Sequence, residues 1–223
     1  MIGTLYEMIQ EAFVNDTFYR FRAGGDGTTP PKRPNWFRRL LYKILLACWI
    51  RRRVIWQVGG EKAVLMVSRA VDDPLAKPTS FLDRLLDYIA RLAALLYDSY
   101  SGKIVSVRNQ ELVEEKNGTL KAYLGDRMQS MLHVHLVATS PEYRGRGYGG
   151  RLMEKVNEFA DSQGRATWLI ASGHHNIPFY NSHGYFALAE MVNGRDSPNW
   201  KRDPVKTILM VRESPESEVK IQE

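Results

Sequence analysis

The sequence predicts a layered α/β domain, on three observations. From residue 131 onward, segments of strand and helix character alternate as strand, helix, strand, helix, strand. A glycine-rich turn, residues 144–150, joins the first of those strands to the first of those helices. Apolar residues make up 44% of the 223 residues, enough to close a core without staples.

Composition removes several classes. Cys48 is the only cysteine, which excludes an internal disulfide and a cysteine metal cluster. Its apolar surroundings predict a buried small hydrophobe. The first 14 residues have no basic stretch leading into a long apolar run, so no signal peptide is expected. The longest apolar run, 44–50, is too short to span a bilayer. The cytoplasm is the expected location, with no membrane partner. The net charge is +6, with basic residues gathered at Lys32, Arg33, Arg38, Arg39, Lys43 and 51–53. A solvated helix face explains that cluster better than a nucleic-acid patch, so no nucleic-acid partner is expected.

Along the chain, residues 2–18 read as an amphipathic helix, with Leu5, Met8, Ile9, Ala12 and Phe13 at helical spacing. Residues 22–34, rich in Gly, Thr and Pro, read as a loop. Asn35 can cap a helix over 36–51. Residues 53–58 and 63–69 flank Gly59-Gly60 and predict a β-hairpin. A proline-containing loop, 72–79, leads to Thr79 or Ser80 as the cap of a helix over 81–100, closed by Gly102. A helix over 104–115 and a turn at Asn117-Gly118 follow. Residues 131–139 form the strongest strand. A helix over 151–163 turns Leu152, Val156 and Phe159 to one face. A strand at 167–172 and a short helix over 178–182 come next, with Pro178 in its first turn. Strands at 186–191 and 207–212 end the ordered chain, and 214–223 reads as a frayed tail.

The turn reads Arg144-Gly145-Arg146-Gly147-Tyr148-Gly149-Gly150. Glycines admit unusual dihedrals and close approach of backbone to a ligand. The unpaired N–H groups and dipole of the following helix favour an anion such as a diphosphate. Arg144 and Arg146 add positive charge. The spacing departs from the dinucleotide-binding G-x-G-x-x-G, and the Gly-Lys-Ser/Thr ending of a P-loop is missing. A tight turn at a sheet edge stays open on spacing alone.

Arg144, Gly147 and Gly149 after a strand resemble the R-x-x-G-x-G acyl-CoA motif of the GNAT superfamily of N-acetyltransferases. The preceding stretch from His133 to Tyr143 is similar too. A second motif, Asn176-Ile-Pro-Phe-Tyr-Asn-Ser-His-Gly-Tyr185, resembles that superfamily's N-x-P-F-Y-x-x-x-G-F/Y, with Tyr185 where Phe is commoner. The match covers 131–190. It implies a mixed, mostly antiparallel sheet splayed at the acyl-CoA site and flanked by helices. It implies a single domain over 1–213, with acceptor-side helices and a hairpin in 1–130, an acyl-CoA core in 131–213 and a flexible tail at 214–223. Acetyl-CoA is the implied co-substrate, and no metal is expected. Backbone groups of Val137, Ala138 and Thr139 would pair with the pantetheine arm. Arg144, Gly145, Arg146, Gly147, Tyr148, Gly149 and Gly150 would surround the diphosphate, and Asn176 would reach the pantetheine or thiol end. A basic surface would attract so anionic a ligand. The superfamily's usual first strand is missing, because this chain opens on a helix.

Amine acetylation needs a proton acceptor, since most amines are cationic near neutrality. His133 and His135 are two apart on one strand and so share a face. The pattern alone fits two half-exposed histidines with ordinary hydrogen bonds as well as it fits a base. Serotonin (arylalkylamine) N-acetyltransferases carry histidines at the same two positions, and histone-acetylating relatives carry a catalytic glutamate at the first. The resemblance therefore implies the pair as the base, acting through water. It likewise implies Tyr180 as the acid that protonates the departing thiolate, against a plain core tyrosine beside Phe179 and Tyr185. His174, His175 and His183 lack the spacing and companion ligands of a zinc site. The aromatic-rich region 2–100 would shape the acceptor pocket. A small-molecule primary amine is the expected partner, attacking directly in a ternary complex. A protein or peptide acceptor, or a non-catalytic CoA-binding module, are the alternatives. Nothing in the sequence fixes an oligomeric state.

Overall fold

The computed structural model describes residues 2–29, 35–52, 54–60, 62–76, 80–100, 102–197 and 199–215. Lys32, Arg33, Arg53, the possible cap Thr79 and the tail from 216 onward lie outside the described residues. Six strands make one sheet: β1 (Val54–Val58), β2 (Ala63–Ser68), β3 (Leu132–Thr139), β4 (Thr167–Ala171), β5 (Phe186–Asn193) and β6 (Val205–Arg212). Their order is β1-β2-β3-β4-β6-β5. Every neighbouring pair is antiparallel except β3 with β4. This is the mixed, mostly antiparallel sheet that the motifs implied. Gly59 and Gly60 both take positive φ, 67° and 63°, as a tight hairpin turn requires.

The helices are α1 (Ile2–Phe13), α2 (Thr17–Arg22), α3 (Trp36–Arg52), α4 (Phe81–Tyr100), α5 (Lys103–Tyr123), α6 (Tyr148–Asp161) and α7 (Ile177–Asn181). Alternation along the strands sorts them onto two faces. Leu132, Val134, Leu169, Ala171, Ile208 and Met210 point to α6, against its buried Leu152, Met153, Val156 and Ala160. On the other face, Val64, Met66 and Ala138 meet α1 and α3, while Trp168, Leu209 and Val211 meet Leu120 and Leu124 near the end of α5. Each buried Val, Leu, Ile or Met among them contributes about 1.5–3 kcal/mol. Caps fall where the sequence placed them: Asn35 Oδ1 accepts from Arg38 N–H at 2.9 Å, and Ser80 Oγ from Asp83 N–H at 3.1 Å.

Two segments differ from their sequence pattern. The first helix stops at Phe13, and Asp16 caps a second one by accepting from Tyr19 N–H at 3.0 Å. Asn15 and Asp16 compete with helical hydrogen bonds, so the chain breaks there. The Asn117-Gly118 pair, in contrast, lies inside α5. Burial of Leu120 and Leu124 against Trp168 and Leu209 carries the helix through it.

Four of the cluster's described side chains have partners within the helical layer. Arg39 pairs with Glu7 at 2.6 Å and Arg51 with Asp83 at 3.0 Å, while Arg38 lies over the Tyr97 ring and Lys43 over Tyr6. Cys48 is buried. Among the described residues, no helix is long and apolar enough to cross a membrane.

Arg108 pins α2 onto α5. It is fully buried, donates to the carbonyls of Phe21 and Gly25 at 3.0 and 2.8 Å, and donates to Ser197 Oγ at 2.8 Å. Arg108→Leu would orphan these acceptors at roughly 3 kcal/mol in total. A thermal melt is expected to fall by about 6–12 °C, and an unchanged melting point would refute this role.

Candidate active site

The feature that creates the site is an early parting of two strands. β3 and β4 pair only from Leu132↔Thr167 to Val134↔Leu169, although β3 continues to Thr139 and β4 to Ala171. Beyond Val134 the main-chain groups of β3 on that side face an open V instead of a partner strand. The V widens into a cleft of about 890 Å³, within the size range of ligand sites.

The glycine-rich turn closes one end of the cleft. Gly145 and Gly147 both have φ of 74°, and Gly147 is the left-handed residue from which α6 starts. The first N–H groups of α6 therefore have no carbonyl one turn back. Gly149 permits close packing. A Cβ there would lie 3.3 Å from Phe179 Cζ on α7 and 3.7 Å from Thr139 Oγ1 on β3. The turn can thus take a ligand anion against its amides, with a chain running from it along β3.

Val137, Ala138, Thr139, Arg144, Gly145, Gly147, Tyr148, Gly149, Gly150 and Asn176 all line this cleft, as do His133, His135 and Tyr180. Arg146 does not; its guanidinium lies over the Tyr143 ring, 5.0 Å from the centroid, a cation–π contact that draws it off the site. Arg144 lines the cleft, but one of its nitrogens donates to Ala12 O at 2.5 Å. It ties the turn to the end of α1 as well as supplying charge.

The paired histidines share a face, as their spacing predicts, and a bulge lies at the second of them. Val67 pairs with Val134 and Met66 with Leu136, so His135 is the extra residue of a β-bulge. His135 faces the side of His133 by ordinary alternation, and the bulge brings Leu136 to that side as well. The two imidazoles lie 3.7 Å apart between centroids, at 45°. His133 stacks flat on Trp168, at 3.6 Å and 8°. A hydrogen bond joins His135 Nε2 to the Ser68 hydroxyl across the strand pair. Both rings are thus held in position at the α1/α5 side of the V.

Tyr180 stands at the other wall on α7, edge-on to Phe179 and Tyr185. Burial pushes its hydroxyl well above the usual tyrosine range, and Tyr185 and Asp16 push it further. Tyr180 therefore stays protonated at working pH, so its hydroxyl can donate a hydrogen bond into the cleft. Tyr185 is fixed by a 2.7 Å hydrogen bond from Thr167 Oγ1.

A polar chain links the cleft walls. Asn176 Nδ2 donates to Ser172 Oγ at 3.1 Å, and Ser172 Oγ donates to Asp16 Oδ2 at 2.5 Å. Asp16 is the only carboxylate lining the cleft among the described residues. Sequence reasoning missed Asp16 and Ser172. The helix-breaking Asn15-Asp16 pair was the available signal for the former; nothing local encodes a contact between residues 16 and 172.

The remaining histidines separate. His174 pairs with Glu190 at 2.7 Å, His175 lines the cleft, and His183 packs edge-on to Phe179. Among the described residues, no three metal-ligating side chains come together.

Residues 85–186 match the family model described as the acetyltransferase (GNAT) domain. No curated protein matches the chain. Two solved structures are similar over nearly the whole length. Arylalkylamine N-acetyltransferase 2 from Aedes aegypti is 15% identical, with 95% of each chain covered and a TM-score of 0.51. Histone acetyltransferase HPA2 and related acetyltransferase from Corynebacterium glutamicum is 17% identical, covering 96% of this chain and 91% of that one, with a TM-score of 0.50. At these identities the likeness shows the fold. The fold is thus that of the GNAT acetyltransferases. The stretch 85–186 thus resembles a GNAT acetyltransferase domain and sits on a fold of that kind.

Proposed function

We propose that the chain moves an acetyl group from acetyl-CoA to the nitrogen of a small primary amine, by direct attack with both substrates bound. The observation that carries this reading is the meeting, in one cleft, of the strand V, the glycine turn at the start of α6, two histidines and a protonated tyrosine. The residues fit the donor: positive-φ glycines and open amides suit its diphosphate, and the unpaired edge of β3 suits its amide-bearing arm. The donor supplies an activated acetyl group.

The protein's part is positioning and proton handling. Amides at 147–150 hold the anionic end. Val137, Ala138 and Thr139 align the arm so that its thioester ends near Asn176 and Tyr180. His133 and His135 take the amine's proton through water, leaving a neutral nucleophile. Tyr180 donates a hydrogen bond to the sulfur as negative charge develops there. Full proton transfer from a phenol at or above the normal tyrosine value to a thiolate is uphill by about 2 kcal/mol or more, so this hydrogen bond is the main contribution. Asp16 draws the ammonium form of the acceptor into the cleft.

A small acceptor is favoured because α2 lies over the acceptor side and is pinned there by Arg108. An extended polypeptide would need that side open. The test is thiol release from acetyl-CoA with arylalkylamines, polyamines and a histone peptide. Turnover with amines is expected. Turnover with the peptide alone would overturn the small-amine reading, and CoA binding without any turnover would leave a binding module.

A further inference from the structure

Two cations on the acceptor side remain without a partner that the reaction explains. Lys116 of α5 and Arg22, the last residue of α2, both line the cleft. Neither makes a hydrogen bond or ion pair with a described residue. Arg22 acts electrostatically on Lys116, Tyr19 and Tyr42. Lys116 is half-buried beside this like charge, and burial followed by Arg22 lowers its proton affinity. Holding an ammonium there is unfavourable unless an anion arrives.

That anion is not the donor's diphosphate. α5 packs on the Trp168, Leu209 and Val211 face of the sheet, and α6, whose first amides form the anion cradle, packs on the opposite face. Lys116 therefore sits across the sheet from the cradle, on the same side as His133 and His135. The charges on that side are ordered along α2. The carboxylate of Asp16 caps its start and Arg22 closes its end, roughly 9 Å further along the axis.

Resting on the amine reading above, we infer that the acceptor carries an anionic group alongside its amine: the ammonium end meets Asp16, and Lys116 with Arg22 hold the anion. An amino-carboxylate whose two charges stand several carbons apart is the matching chemical class. A simple arylalkylamine would leave both cations unanswered.

Matched pairs of acceptors test this: 4-aminobutanoate with butylamine, 5-aminopentanoate with pentylamine, and 6-aminohexanoate with hexylamine. The intact protein is expected to acetylate the acid of at least one pair with kcat/KM about tenfold or more above its neutral partner. Lys116→Met keeps the apolar stem and removes the charge. It is expected to raise KM for that acid by about 10-fold or more, erasing the preference, with kcat for the neutral amine and affinity for CoA unchanged. Arg22→Leu should act in the same direction. Equal or better use of the neutral partners, a preference that survives Lys116→Met, or no acetylation of any pair would overturn the inference. CoA binding with turnover of neutral amines alone would sink it and leave the amine reading standing. Absence of CoA affinity would sink both.

Discussion

Replacing His133 and His135 together by alanine should lower kcat/KM for an amine by about 10²–10⁴-fold, the usual contribution of a general base. Affinity for CoA should stay within a few-fold, because the diphosphate is held by the amides of the glycine turn and not by these rings. The loss should be greatest at low pH and shrink as pH rises, since more of the amine is then already neutral. Ser68 and Trp168 hold the two rings, so Ser68→Ala should reproduce part of the effect by loosening His135. A double variant that keeps its full rate across pH would remove the histidines from the chemistry.

The second large effect is expected at Gly149. In Gly149→Val the Cβ would lie 3.3 Å from Phe179 Cζ, and its methyls would intrude where ligand must approach the first amides of α6. Losing two charge-assisted amide contacts implies a fall in acetyl-CoA affinity of about 100-fold or more. The fold should survive, since the overpacking costs about 1–3 kcal/mol. Calorimetric affinity together with a melting curve separates these outcomes. An affinity within threefold of the parent would mean that the turn does not carry the ligand.

These two sites differ in how plainly the sequence announced them. The glycine turn, the strand before it and the segment 176–185 are contiguous, so their chemistry is written in neighbouring residues. Helix α4 and the hairpin at Gly59-Gly60 were legible for the same reason, because caps and turns are local devices. The bulge at His135 was not legible, since it exists only as a register against Met66 and Val67. Asp16 was hidden inside an apparent helix, and its partner Ser172 lies 156 residues away. Asn117-Gly118 misled because burial of Leu120 and Leu124 outweighs a turn preference of about 1 kcal/mol. The cations Lys116 and Arg22 converge only through tertiary packing of α5 against α2.

The most direct measurement is a calorimetric comparison of CoA with pantetheine, which shares the arm and thiol but lacks the diphosphate. If backbone amides at residues 147–150 grip that diphosphate, CoA binds and pantetheine binds at least 100-fold more weakly. Equal affinities, or no binding of CoA to folded protein, would contradict it.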